Sequence, residues 1–212
     1  MEFLPEDLHD YIEDHSEPES ELLRKINRET HLHVLKPRML SGHLQGRVLS
    51  MISHLVNPTH VLEIGTYTGY AALCLAEGLT SGGKLITIDS NEELSQRTKS
   101  YFNESAYKDQ IEMKVGNALD IIPTLQENWD LVFIDADKNN YSNYFDLVID
   151  QMNTGGIIVA DNVLWSGKVS DPTKKDPATE AIREFNAKVH MDQRVQNVLF
   201  PIRDGIMMLR KL

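Results

Sequence analysis

Two short runs in this sequence put hard oxygen donors where a buried strand ends. Leu131-Val132-Phe133-Ile134 is a run of four apolar residues, closed by Asp135-Ala136-Asp137-Lys138. Such a run reads as a strand buried on both faces. Ile157-Ile158-Val159-Ala160 repeats the pattern and is closed by Asp161-Asn162. A carboxylate at the end of a buried strand is costly unless something there uses it. In open α/β sheets, the carboxyl ends of the strands are where ligands sit. If the two strands are parallel neighbours, Asp135, Asp161 and Asn162 converge with Lys138 beside them. Three oxygen donors and an amine suggest a divalent-cation site with a base at hand, for Mg²⁺, Mn²⁺ or Ca²⁺ rather than zinc. The competing reading is that these residues only cap the helices that follow.

A second constellation lies upstream. His60-Val61-Leu62-Glu63-Ile64 reads as a strand, Gly65-Thr66-Tyr67-Thr68-Gly69 as a tight turn, and Tyr70 opens a helix. Asp89 closes the next strand, 24 residues after Gly65, where a carboxylate can accept both hydroxyls of a ribose. The turn is not the G-x-G-x-x-G of dinucleotide sites, because its second glycine comes four residues after the first. Glu63 would repel a pyrophosphate and suits a ligand with a cationic or amino end. S-adenosylmethionine carries both a sulfonium and an ammonium, so this methyl donor is favoured over NAD.

The elements that must position these residues alternate along the chain. Strands are predicted near 60–64, 84–88, 111–115, 130–134 and 157–160. Helices are predicted over 41–56, 70–79, 91–102 and 118–125, on the segment carrying Tyr141, Tyr144, Phe145, Val148 and Ile149, and from Asp176-Pro177 onward, an N-cap followed by proline. The 41–56 helix should bury Leu44, Val48, Leu49, Ile52 and Leu55. Val163–Lys175 reads as a polar loop. Val195–Phe200 and Ile206–Leu209 are joined by five residues, too few for a helical crossover, and should form an antiparallel hairpin. The expected fold is α/β: a doubly wound, Rossmann-like, mostly parallel seven-stranded sheet ending in that hairpin.

The chain has 212 residues, 41% of them hydrophobic and 25% charged, which fits one domain over 1–212 with a substantial core. Residues 1–40 read as an N-terminal arm or lid. Residues 1–21 hold nine carboxylates and no Lys or Arg; they read as a solvated acidic arm, or as a short amphipathic helix through Leu4, Leu8, Tyr11 and Ile12. Arg24, Lys25 and Arg28 read as a basic turn. His31-Leu32-His33 lacks a third metal ligand. Cys74 lies in an apolar helical pattern and reads as a buried thiol. A reducing cytoplasm is the expected compartment, with no signal peptide and no apolar run of the ~20 residues a membrane span needs. The net charge of -11 disfavours a broad nucleic-acid surface, although Arg24, Lys25, Arg28, Lys36 and Arg38 could form a local patch.

Glu63-Ile64-Gly65-Thr66-Tyr67-Thr68-Gly69-Tyr70, Asp135-Ala136-Asp137-Lys138 and Asp161-Asn162-Val163-Leu164-Trp165 resemble the cation-dependent O-methyltransferases, the family of catechol and caffeoyl-CoA O-methyltransferases. The resemblance runs from about Met39 to Asp204-Gly205. It implies a methyl donor, S-adenosylmethionine, held by the glycine turn through Gly65, Thr66, Tyr67 and Gly69. Met39 and Ser41 would pass over its methionine part, Glu63 and Gly65 would lie at its amino-acid end, Asp89 at the ribose, and Asn117 and Ala118 beside the adenine, with Asp135 also among the cofactor-binding residues. Asp135, Asp161 and Asn162 match metal ligands, and Lys138 a general base. Ala71 stands where many members have Ser, Asn117 where Asp is common, and Asp137 where the animal catechol enzyme has an aromatic residue. The implied substrate is a vicinal diphenol, with a hydroxylated uridine of transfer RNA as the alternative. The family is often dimeric; Trp165, Val169 and the hairpin edge would supply the apolar surface for a homodimer.

Overall fold

The computed structural model describes residues 5–212 of the chain. The β-branched runs become β1 (His60–Ile64), β2 (Lys84–Asp89), β3 (Ile111–Val115), β4 (Trp129–Ile134), β5 (Met152–Asp161), β6 (Val195–Phe200) and β7 (Ile206–Lys211). They form one seven-stranded sheet in the order β3-β2-β1-β4-β5-β7-β6. β1 to β5 pair in parallel, β7 runs antiparallel to β5, and β6 runs antiparallel to β7. The order reverses between β1 and β4, the crevice where doubly wound sheets bind ligands. The hairpin forms as the short link requires, with Gly205 at φ +88° closing the turn.

The helices are α1 (Glu6–Asp14), α2 (Glu21–His33), α3 (Gly42–Val56), α4 (Tyr70–Ala76), α5 (Glu92–Glu104), α6 (Ala118–Ile121), α7 (Tyr141–Ile149) and α8 (Pro177–Met191). Strand alternation sorts them into two layers. Val61, Leu85, Leu131, Phe133 and Val159 face α2, α3, α4 and α5. Leu62, Ile64, Ile86, Val132, Ile134 and Ile158 face α6, α7 and α8. No helix of the described residues is long and apolar enough to cross a membrane.

Four expectations need correction. The basic turn around Arg24 is the first half of α2, started by the Ser20 hydroxyl accepting Leu23 N–H and anchored by buried Leu23, Ile26 and Thr30 at helical spacing. The acidic stretch does form a helix, α1, but one with no buried residue; Leu4 lies outside the described residues. The buried face of α3 is turned from the expected one. Leu55 is 80% exposed, while Gln45, Gly46, Ser50 and Ser53 are buried with Leu49 and Ile52. Hydrogen bonds make this possible: Ser53 Oγ donates to the Leu75 carbonyl at 2.6 Å and Ser50 Oγ to Glu77 at 2.5 Å. Trp165 and Val169 are half-buried rather than open, and Val169 packs on the core. Cys74 is fully buried as expected, and burial pushes its thiol up to about 12.

Gly46 lets α3 approach α4 closely. A Cβ there would stand 2.6 Å from Tyr70 Cε1 and 2.9 Å from Cys74 Sγ, both in fully buried side chains. Gly46→Ala is expected to destabilise the fold by about 1–3 kcal/mol through overpacking, less up to ~1 kcal/mol of gained helix propensity. A denaturation midpoint at or above wild type would show that this contact is slack.

Candidate active site

The site is built where the central strands stop. Gly65 N–H donates to the Ile88 carbonyl at 2.9 Å and Asp135 N–H to the Ile64 carbonyl at 2.8 Å, so the parallel ladders continue into the loops. Gly65 has φ +105°, and a Cβ on it would lie 1.9 Å from the Asp135 carbonyl oxygen. Only glycine permits this approach of one strand end to the next. Asp89 closes the glycine turn: its Oδ2 accepts Tyr67 N–H at 2.7 Å, and its Oδ1 accepts Asn91 N–H at 2.8 Å. Gly69, at φ +82°, lies against the Phe102 ring, where a Cβ would come within 2.6 Å.

Glu63 is fully buried on the α3–α4 side of the sheet. A hydroxyl chain reaches it: Thr66 and Thr87 hydroxyls are 2.5 Å apart, and Thr87 donates to Glu63 Oε2. Glu63 Oε1 is buried with no partner. Burial pushes this carboxyl well above its ordinary range, and the charges of Asp135 and Asp89 add to the effect. A buried acceptor without a donor is costly. A cationic ligand group such as an ammonium would relieve it, so the residues present fit the amino-acid end of S-adenosylmethionine.

Register pairs Ile134 with Ala160, so Asp135 and Asp161 leave neighbouring parallel strands at the same level. Lys138 Nζ donates to Asp135 Oδ1 at 2.9 Å and to the Tyr141 hydroxyl at 2.6 Å. The Tyr141 hydroxyl in turn donates to the Asp161 carbonyl at 3.0 Å. Asp161 is 3% exposed. Its Oδ2 accepts Gln45 Nε2 at 2.6 Å and its Oδ1 accepts Asn162 N–H at 2.7 Å. Burial first, then the charge of Asp135, pushes Asp161 up to about 6, against the pull of Lys138 and the two donors. Asn162 has φ +57°, a conformation Asn tolerates better than most residues. Its side-chain amide makes no hydrogen bond among the described residues. Two carboxylates at neighbouring strand ends and a free amide are oxygen donors that fit a hard cation by the chemistry of the donor set. Among the described residues no three His, Cys, Asp or Glu side chains cluster closely enough to hold a metal ion, and His31 bonds its own helix at the Asn27 carbonyl.

The remaining predicted residues lie around this edge. Met39 ends a short 3₁₀ turn over Pro37–Met39 and is 55% exposed, whereas Ser41 is buried. The preceding segment touches the glycine turn, because the Tyr67 hydroxyl is 3.3 Å from both the Leu35 and Lys36 carbonyls. Asn117 Oδ1 caps α6 by accepting Leu119 N–H at 3.1 Å, and Ala118 follows it, buried. Ala71 is buried in α4 and offers no hydroxyl. Three features were not foreseen. Gln45 sits on the buried face of α3, which differs from the stripe read as apolar, and Arg203 in the hairpin turn reaches it. Trp165 lies beside Lys138, with its indole nitrogen buried and unpartnered. The loop carrying Trp165 is pinned by the hairpin turn: Ser166 N–H bonds Asp204 Oδ1, and Leu164 and Val163 N–H bond the Asp204 and Gly205 carbonyls. Neither Gln45 nor Arg203 carried a signal in the sequence, because their partners lie on remote elements.

Comparison with known proteins agrees with this geometry. The family model described as O-methyltransferase matches residues 13–212. The caffeoyl-CoA O-methyltransferase of Mesembryanthemum crystallinum is 34% identical over 181 residues, covering 79% of this chain and 71% of that protein. The O-methyltransferase of Bacillus cereus, solved in complex with S-adenosylhomocysteine, superposes with a TM-score of 0.91 at 29% identity, covering 97% of each chain. The O-methyltransferase TomG of Streptomyces achromogenes, involved in tomaymycin synthesis and solved with S-adenosylmethionine, gives a TM-score of 0.88 at 28% identity over 97% of this chain and 96% of that one.

Gly65→Ala tests the backbone contact at the centre of the site. Its Cβ must displace the Asp135 main chain, so the variant is expected to melt at a lower temperature and to lose S-adenosylhomocysteine binding in calorimetry. Wild-type affinity with an unchanged melt would mean that the two strand ends are not in close contact.

Proposed function

The chain belongs to the O-methyltransferase family and is an S-adenosylmethionine-dependent O-methyltransferase, and from that premise we propose that it works with a divalent cation on one hydroxyl of a vicinal diphenol of catechol or caffeoyl-CoA type. The observation that supports this reading is the pair of carboxylates, Asp135 and Asp161, at adjacent strand ends with Lys138 2.9 Å from the first. Asp135, Asp161 and Asn162 would hold Mg²⁺, Mn²⁺ or Ca²⁺. Glu63, Gly65, Thr66, Tyr67, Gly69, Asp89 and Asp135 would hold the methyl donor, with Met39 and Ser41 across its methionine part and Asn117 and Ala118 at its adenine. When bound, the donor supplies a methyl group on a sulfonium, and the cation supplies a charge that lowers a hydroxyl pKa and fixes two vicinal oxygens.

The chain's own residues supply the rest. Glu63, fully buried with Oε1 unpartnered, would accept the donor's ammonium. Asp89 accepts ribose hydroxyls while its two backbone bonds keep the glycine turn in shape. Lys138 Nζ is the base the site offers for the hydroxyl proton, and the Tyr141 hydroxyl holds that nitrogen in place at 2.6 Å. Trp165, beside Lys138, walls the nucleophile's side of the site. Placing the hydroxyl in line with the methyl group contributes several kcal/mol by orientation, up to roughly 7–11 in ideal cases.

One observation favours a second reading, methylation of a hydroxylated uridine in transfer RNA. Arg24 and Arg28 line a groove with Asn27, His31 and Leu32, and neither arginine pairs with an acid among the described residues. The homodimer is also a proposal. β6 is an edge strand, and Met191, Val198 and Leu212 on and beside it are exposed. Light scattering at micromolar concentration is expected to give twice the chain mass; the monomer mass would refute it.

The decisive assay compares catechols, acyl-CoA diphenols and bulk transfer RNA with and without EDTA. Turnover on a diphenol is expected to vanish with chelator and return with Mg²⁺ or Mn²⁺. Asp161→Ala is expected to abolish turnover yet leave S-adenosylhomocysteine binding intact, since the donor site is built mainly on β1 and β2. Asp89→Asn should do the reverse, weakening that binding by about 1.5–3 kcal/mol, the worth of hydrogen bonds to a charged group. Full activity of metal-free protein in EDTA would overturn the cation-dependent reading, and activity confined to transfer RNA would overturn the diphenol.

A further inference from the structure

We infer that Gln45 and Arg203 form a positioning pair that sets the orientation of the Asp161 carboxylate toward the cation; this rests on the cation-dependent reading above. Gln45 comes from the first turn of α3 and Arg203 from the β6–β7 turn. Arg203 Nη1 donates to Gln45 Oε1 at 2.9 Å, and Gln45 Nε2 donates to Asp161 Oδ2 at 2.6 Å. The direction of this relay is forced. A guanidinium can only donate, so the Gln45 amide oxygen must face Arg203, and its NH₂ group must then face the carboxylate, which can only accept.

The relay has a consequence for Asp161. The terminal torsion of an aspartate is broad and weakly restrained. Here each oxygen has its own donor, Gln45 Nε2 on one and Asn162 N–H at 2.7 Å on the other. The plane of the carboxylate is therefore fixed, and the lone pairs left over are those available to a cation. Gln45 is 1% exposed, at a place on α3 where an aliphatic side chain would pack without any polar group to satisfy. Its polar cost is offset only by this bridge. Arg203 also donates to the Leu40 carbonyl at 3.3 Å. One guanidinium thus ties the crossing segment next to Met39 and Ser41 to the carboxylate proposed to bind the metal. Arg203 is exposed, with its backbone at φ +49° in the hairpin turn, and its guanidinium is held by the bonds to Gln45 and the Leu40 carbonyl.

The test reads cation binding directly. Mn²⁺ is titrated by calorimetry into protein saturated with S-adenosylhomocysteine, for wild type, Gln45→Met, Arg203→Met and the double variant. Gln45→Met keeps the length of the side chain and removes the bridge. It is expected to raise the Mn²⁺ dissociation constant about tenfold, the lower end of what losing a group behind a ligand costs, with affinity for S-adenosylhomocysteine within about twofold. Arg203→Met is expected to weaken Mn²⁺ about threefold alone and to add nothing to Gln45→Met, because it acts through Gln45. A purely structural role would lower the melting temperature and leave Mn²⁺ affinity unchanged, which would overturn the inference. So would strictly additive effects of the two substitutions. If Gln45→Met does not melt cooperatively, Arg203→Met decides alone, and wild-type Mn²⁺ affinity in it overturns the relay. Absence of Mn²⁺ binding in wild type, with full activity in EDTA, is instead the failure of the cation-dependent reading itself.

Discussion

The backbone contact between Gly65 and Asp135 is the constraint on which the site depends. With no Cβ at Gly65, the end of β1 lies directly against the end of β4, close enough that an alanine carbon would overlap the Asp135 carbonyl oxygen at 1.9 Å. The glycine turn and the first acidic residue are thereby held in one register. Everything on either side inherits that register. Asp89 is placed through Tyr67 N–H, Glu63 through the hydroxyls of Thr66 and Thr87, and Lys138 through Asp135 itself. A crevice opens here because the strand order reverses between β1 and β4, and the helices that follow leave on opposite faces.

Charge burial is the second organising problem. Glu63 and Asp161 are both almost inaccessible to water, where an unpaired carboxylate is strongly disfavoured. They are treated differently. Asp161 has a donor on each oxygen and a lysine nearby, so most of its need is met within the chain. Glu63 has one oxygen bonded and the other empty. The first arrangement fixes a geometry; the second leaves an unmet demand for positive charge on the side where the methyl donor's ammonium is proposed to lie. Both are local costs of stability of the kind that binding sites carry.

The acidic balance of the chain fits this division. The net charge of -11 is spread over the surface and the N-terminal helix, while the cations near the site are few and tied down. Lys138 is bonded to Asp135 and Tyr141, Arg203 to Gln45 and the Leu40 carbonyl. Asp204, next to Arg203, pins the Trp165 loop through Ser166 N–H. The hairpin turn therefore braces two walls of the crevice at once, which accounts for the Asp204-Gly205 pair at the end of the chain's recognisable pattern.

The sequence by itself determined the alternation of strands and helices, the antiparallel ending, the glycine turn and the acidic strand ends. Each of these is written locally: a buried parallel strand must be a continuous apolar run, a five-residue link cannot hold a crossover helix, and Asp135 and Asp161 stand out because each breaks such a run. The face of α3 was not legible, because its apolar stripe and its buried stripe differ. Ser50, Ser53 and Gln45 could be buried only through partners on other elements, and no periodicity reports those. Gln45 and Asp161 are 116 positions apart, and Arg203 and Gln45 are 158 apart. Only the closing of the sheet around the crevice brings them within hydrogen-bond reach. Tertiary structure alone decided that bridge, because hydrogen bonding depends on distance in space and the chain encodes no local sign of a partner so remote.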